Sequence, residues 1–239
     1  MPIGNFYGLS VGTGDPELIT VKGLRILQNS PVVAFPSGLQ GKPGMAEKII
    51  SRWLQPEQIL LHLNFPYIQD EQILLNAWEE AAKIVYERLK TGLDVVFACV
   101  GDVSFYSTFT YLAQTLRRLY PDVIVVVIPG VCSPMAAAAV LGIPLTIKDE
   151  KLAVLPAIYS MNDFETALEW AEVVVLMKVS SVYVKVWKIL QQRNLLKSSF
   201  VVEKATSEEM VLHPDLTNLS NLKLPYFSIL IVQLQSRYF

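Results

Sequence analysis

Apolar runs of strand length alternate with helix-patterned segments along most of this chain, and several runs end in a turn of small residues. That alternation constrains the fold more than any single residue. It predicts a mostly parallel sheet covered by helices. The first instance is the clearest. Residues 6–11 read as a short buried strand, Gly12-Thr13-Gly14-Asp15-Pro16 as a tight turn, and residues 17–24 as the opening of a helix. Asp15 stands where an N-cap belongs, and Pro16 suits a first helical position. A strand running into a glycine turn and then a helix is where α/β enzymes place ligands. The glycines let the backbone approach such a ligand closely.

The same pattern predicts strands at 31–36, 59–63, 93–100 and 123–128, with helices at 45–53, 70–90 and 106–119. In the long helix, Ile73, Leu74, Ala77, Ala81, Ile84, Val85 and Leu89 share one predicted apolar face. Pro129-Gly130 marks a domain boundary, giving an N-terminal α/β domain of residues 1–128 and a C-terminal α/β domain of residues 129–239. The second opens with an alanine-rich helix, Ser133–Leu141, whose run from Ala136 to Ala139 has no bulk and predicts close packing. Strands follow at 152–155, 173–177, 200–202 and 227–232, with an antiparallel character towards the end and turns at 213–215 and 224–225. The expected architecture is two α/β lobes with a ligand cleft between them.

Composition removes several function classes. An apolar fraction of 52% in 239 residues supports a substantial core, and a net charge of −2 offers no basic field for nucleic acid. No apolar run is long enough for a bilayer, and the longest candidate, 123–128, is strand-sized. No basic segment followed by a long apolar one opens the sequence, so no secretory signal is expected. Cys99 and Cys132 are widely spaced, form no metal motif and fit a reducing cytoplasm. His62 and His213 are the only histidines. They are read as structural, and no protein-bound metal is expected.

Dinucleotide binding fails on two counts. The third glycine of the turn is missing, and the second strand ends in Phe35-Pro36-Ser37 with no carboxylate for a ribose. A phosphate-binding loop fails because Gly41-Lys42 runs into Pro43 without a spaced upstream glycine, and no serine sits in a nucleophile elbow. What remains is a set of loops of small residues after predicted strands: 12–15, 101–107, 129–133 and 203–207. Each alone reads as an ordinary turn. Together they point to a ligand approached by backbone from several sides.

Gly12-Thr13-Gly14-Asp15-Pro16-Glu17-Leu18, residues 101–109, Pro129-Gly130 leading to Leu141-Gly142-Ile143-Pro144, residues 174–178, Glu203-Lys204-Ala205-Thr206 and Pro225-Tyr226-Phe227-Ser228 form an ordered series. In order and spacing it resembles the tetrapyrrole methylases, the S-adenosylmethionine-dependent enzymes of corrin and sirohaem synthesis. The resemblance runs nearly the whole length. Thr13 and Val103 each stand where the family usually has proline, which leaves both loops less rigid. Pro36 stands where uroporphyrinogen-methylating members carry an aspartate. The resemblance implies S-adenosylmethionine as methyl donor, held by Thr13, Val100, Gly101, Asp102, Phe105, Cys132, Ser133, Met177, Ala205 and Thr206. It also implies a small-molecule tetrapyrrole substrate and a homodimer. Tyr106, at the mouth of the second loop, is the candidate for touching substrate in catalysis. Lys148, Lys151 and Lys178 are candidates for the substrate's carboxylates. Bland readings stand beside these: Met177 as core, Asp102 as a helix cap, Cys132 as packing, Tyr106 as a helix-start aromatic in the core, and the three lysines as solvated surface charges. Another methylated position, or a non-catalytic tetrapyrrole carrier on the same fold, stays open.

Overall fold

In the computed structural model, which describes residues 2–38, 42–66, 70–156 and 160–234, contacts divide the chain into Met1–Cys132 and Ser133–Phe239. Residues 129–132 stay with the first unit, beyond the division expected at 128. The Gly130 N–H donates to Asp102 and the Ser10 hydroxyl to Ile128, and these bonds hold the segment there.

The first unit is built on β1 (Phe6–Ser10), β2 (Val32–Pro36), β3 (Ile59–Leu63), β4 (Val95–Cys99) and β5 (Val125–Ile128). All pairings are parallel, in the order β3-β2-β4-β1-β5. The central strand β4 reads Val-Val-Phe-Ala-Cys and is buried throughout, as a parallel strand covered on both faces must be. On one face Phe6, Phe97 and Val95 pack with Val85 and Leu89 of α3 (Glu71–Leu89) and with Phe109, Leu112 and Leu116 of α4 (Thr108–Leu119). On the other, Leu9, Val33, Phe35 and Val96 pack with Leu27 of α1 (Val21–Asn29) and with Ile49 and Ile50 of α2 (Met45–Ile50).

Two sequence expectations change here. The first helix does not start at Glu17. Asp15 caps only a 3-10 turn, Pro16–Leu18, and Thr20 then caps α1 by accepting from the Gly23 N–H. Two caps five residues apart divide what periodicity reads as one helix. In α3, Ala81, Ala82, Val85 and Leu89 are buried, whereas Ile73 and Ile84 of the expected face are exposed.

The second unit carries β6 (Leu152–Leu155), β7 (Val173–Met177), β8 (Ser199–Glu203), β9 (Val211–His213) and β10 (Ser228–Gln233), in the order β6-β7-β10-β8-β9. Only β6 and β7 pair in parallel; β10 and β9 run antiparallel to their neighbours. The turn expected at 213 is displaced, because His213 closes β9 and the Asp215 carboxylate accepts from the Thr217 N–H to form the turn. In α5 (Ser133–Leu141), Ala136, Ala137 and Ala138 are buried and Ala139 is exposed, so the small-residue face is shorter than expected. Phe164 of α6 (Met161–Trp170) and Tyr183, Val186 and Leu190 of α7 (Tyr183–Gln192) cover the sheet with Leu176 and Leu230.

Tyr183 is 1% exposed and its hydroxyl donates to the Leu219 carbonyl at 2.9 Å. Burial pushes its phenol up to about 12 from 10.0. The fold therefore favours the neutral phenol. That contribution is complete below 10.0 and is lost as the pH rises towards about 12. Urea unfolding across this range should show stability falling with pH. Tyr183→Phe should flatten that alkaline slope and, by leaving the carbonyl unpaired, cost roughly 1 kcal/mol at neutral pH. An unchanged slope in the variant would refute the assignment.

Candidate active site

The loops after β1, β4 and β5 are stitched together by buried hydrogen bonds, and Ser10 is the central knot. It closes β1 and is wholly buried. Its hydroxyl donates to the Ile128 carbonyl at 2.7 Å and accepts from the Val103 N–H at 3.0 Å. A side chain at residue 130 has no place beside it, because a Cβ on Gly130 would stand 2.5 Å from the Ser10 Cβ. Gly101 donates its N–H to the Gly12 carbonyl at 2.6 Å, and the two residues form an antiparallel bridge. Both sit at φ +75°. That backbone region favours glycine.

Asp102 completes the stitching. One carboxylate oxygen accepts from the N–H and hydroxyl of Ser104, and the other accepts from the Gly130 N–H at 2.7 Å. Burial acts to raise its pKa. The hydrogen bonds from Ser104 and Gly130 outweigh that and hold the carboxyl below its ordinary value. Its first role is to fix two loops against each other, so the bland capping reading was incomplete. Ser107 caps α4 by accepting from the Phe109 N–H, and its hydroxyl lies 2.9 Å from the Cys99 sulfur. Burial pushes the Cys99 thiol up, which suits a packing role.

The first unit thus brings together Thr13, Val100, Gly101, Asp102, Phe105, Tyr106 and Cys132 on the end loops of three adjacent strands. Thr13 is buried and Phe105 half-buried. Tyr106 is 51% exposed, edge-on to Phe105 with centroids 4.8 Å apart. Its φ of +51° is strained for an aromatic residue. It is therefore an exposed loop residue, and the alternative of a core aromatic is removed.

In the second unit, Met177 ends β7 and Glu203 ends β8, and both pair with the start of β10. Met177, Ala205 and Thr206 therefore share one sheet end. Lys178, Lys204 and Thr206 all have positive φ, at +55°, +44° and +66°. Strained non-glycine residues at strand ends mark loops whose shape the surrounding structure enforces. The His213 imidazole, 2.7 Å from the Glu203 carboxylate, ties β9 to the residue that opens this loop. Ser133 opens α5.

Two features suit a bound ligand. A Cβ on Gly101 would meet nothing within 4 Å, so the loop presents open space at a point where its backbone is pinned. The Ser207 hydroxyl, next to Thr206, is buried without a hydrogen-bond partner among the described residues. Buried polar groups are normally paired. Ser10 and Ser207 are not among the site residues expected from sequence. A serine ending an apolar strand and a serine closing a small-residue loop were the only signals available. Among the described residues no group of three or more His, Cys, Asp or Glu side chains is placed to hold a metal ion, and no helix is long and apolar enough to cross a membrane.

Residues 5–220 match the family described as Tetrapyrrole (Corrin/Porphyrin) Methylases. The chain belongs to this family. Among the family's relatives, the cobalt-precorrin-2 C(20)-methyltransferase of Salmonella typhimurium is 31% identical over 237 residues, covering 98% of both chains. The cobalamin biosynthesis protein CobIJ of Mycobacterium tuberculosis is 31% identical over 234 residues, and that match takes 95% of this chain but 45% of CobIJ. The chain thus spans about half the length of that relative. The structure of the uroporphyrin-III C-methyl transferase of Thermus thermophilus, complexed with S-adenyl homocysteine, matches with a TM-score of 0.67 at 21% identity, covering 96% of this chain and 97% of that one. The two sheets and their helices are the tetrapyrrole methylase fold.

Proposed function

We propose that this chain transfers a methyl group from S-adenosylmethionine to C-20 of precorrin-2 or its cobalt complex, a step of corrin-ring synthesis for cobalamin. The observation that carries the reading is the match, end to end in both chains, to a relative named for that reaction. Cobalt, where present, is substrate cargo, and the reading includes no protein-bound metal. It includes a cytoplasmic homodimer.

The residues fit the methyl donor. In this reading Thr13, Val100, Gly101, Asp102, Phe105 and Cys132 of the first unit, and Ser133, Met177, Ala205 and Thr206 of the second, hold S-adenosylmethionine. The open face of Gly101 admits a ligand against backbone, and the orphaned Ser207 hydroxyl offers an added donor. The cofactor supplies an electrophilic sulfonium methyl. The chain's task is then to hold the nucleophilic carbon in line with it and to exclude water. The stitched loops suit that task, since the Ser10 and Asp102 bonds hold Gly101 and Gly130 in fixed positions. Tyr106, exposed on a strained loop, is assigned to substrate contact.

Purified protein incubated with methyl-labelled S-adenosylmethionine and either precorrin-2 or its cobalt complex should yield labelled tetrapyrrole. S-adenosylhomocysteine should bind in equilibrium titration. Absence of label with both substrates would refute the activity, and tight cofactor binding without turnover would favour a carrier.

A further inference from the structure

A cavity of about 250 Å³ opens in the first unit, away from the loops assigned to the methyl donor. Ser37, Gly38, Lys42, Pro43, Glu47 and His62 line it. Ser37 follows directly on β2, and His62 is the penultimate residue of β3. Because β2 is hydrogen-bonded to β4, the cavity lies one strand over from loop 101–107, on the same strand-end edge of the parallel sheet. That edge is where open α/β sheets bind ligands.

The lining mixes polar and apolar surface and includes the exposed Lys42. Lys42 has no carboxylate within 4 Å among the described residues. Glu47 is engaged on both oxygens, one 3.2 Å from the His62 imidazole and the other accepting from the Gly44 N–H. The His62 ring stands edge-on against the buried Phe35, with centroids 4.7 Å apart, and so has a fixed orientation. The cavity therefore offers an ammonium, a hydroxyl and a positioned imidazole beside a carboxylate that is already satisfied. Lys42 and Glu47 cancel across the lining, so a carboxylate set against Lys42 adds a single negative charge. A phosphate dianion would place surplus negative charge beside Glu47.

We infer that this cavity binds a carboxylate side chain of the tetrapyrrole substrate, with Lys42 as the charged anchor and Ser37 and His62 as its polar walls. The inference rests on the proposed tetrapyrrole activity and adds a substrate-positioning site to it. Lys42 is a specificity residue in this account and touches no reacting atom. It also answers a puzzle of charge. A chain with a net charge of −2 must gather local cations to hold a polycarboxylate.

Lys42→Ala and Lys42→Glu test it, with Lys185→Glu on α7 as a charge-matched control. Two affinities are measured for each: uroporphyrin III, a stable polycarboxylate porphyrin, by fluorescence, and S-adenosylhomocysteine by calorimetry. Methyl transfer is measured alongside. Loss of one charge-assisted contact corresponds to about a 10-fold effect. Lys42→Ala should weaken porphyrin binding by about that factor and Lys42→Glu by more. KM for the tetrapyrrole should rise in parallel, kcat should change less than KM, and the homocysteine affinity should stay within about twofold. Porphyrin binding equal to wild type in both variants would overturn the inference. So would loss of both affinities together, or the same loss in Lys185→Glu. If the wild type binds porphyrin but transfers no methyl group, the activity fails and the porphyrin affinities still decide the cavity. If it binds no polycarboxylate tetrapyrrole at all, both fall. Circular dichroism checks the fold, and Lys42→Gln replaces any variant that does not fold.

Discussion

Ser10→Ala should destabilise the protein by about 2–4 kcal/mol and cut activity at least 10-fold. The substitution removes almost no volume, so packing contributes little. The cost comes from two backbone groups left without their partner, the Ile128 carbonyl and the Val103 N–H. Ser10 is wholly buried, so water cannot take its place without rearrangement. Activity should fall because the same two bonds anchor the loops that hold Gly101, Asp102 and Gly130. Urea unfolding and initial rates measure the two effects. A loss below about 0.5 kcal/mol would show that the hydroxyl does not link these loops.

Gly101→Val should separate binding from folding more sharply. The backbone there is at φ +75° and is pinned by the 2.6 Å bond to Gly12, so it cannot relax into a conformation that a β-branched residue favours. Strain should cost about 1–3 kcal/mol of stability. The new side chain enters space that no protein atom within 4 Å occupies, so the fold itself should survive. S-adenosylhomocysteine needs that space in the proposed site. Its affinity should fall at least 100-fold, and by less in Gly101→Ala. Wild-type affinity in the valine variant would remove Gly101 from the cofactor site.

Periodicity found the strand ends best where the apolar run is itself short, whether the strand is buried like β7 or largely exposed like β3. Strands β3, β6 and β7 begin and end where the apolar runs do, because turn residues flank each run closely. It failed where a side chain overrides the pattern. Thr20 ends the run that Asp15 began, since a second cap is as strong a signal as the first. Strand β9 has three residues and sits at a sheet edge, too short for alternation to register. Ile73 and Ile84 fit the helical period of α3 yet are exposed, because the helix buries a narrower stripe centred on Ala81 and Val85.

The site was legible where glycine marked it. Gly12, Gly101 and Gly130 announce close backbone approaches, and the structure gives each a steric or conformational reason. The left-handed backbone at Tyr106, Lys178, Lys204 and Thr206 carries no such mark, since ordinary side chains occupy it. Ser10 and Lys42 were silent for a different reason. Their roles depend on which strands become neighbours, and the order β3-β2-β4-β1-β5 is not written in any local run.

The central claim is the position of methylation. Incubation with S-adenosylmethionine carrying a ¹³C methyl group, followed by NMR of the isolated tetrapyrrole, reads it directly. The account predicts one new labelled methyl on C-20 of precorrin-2 or of its cobalt complex. A labelled methyl on any other carbon, or an unlabelled tetrapyrrole recovered from an enzyme that binds S-adenosylhomocysteine, would contradict it.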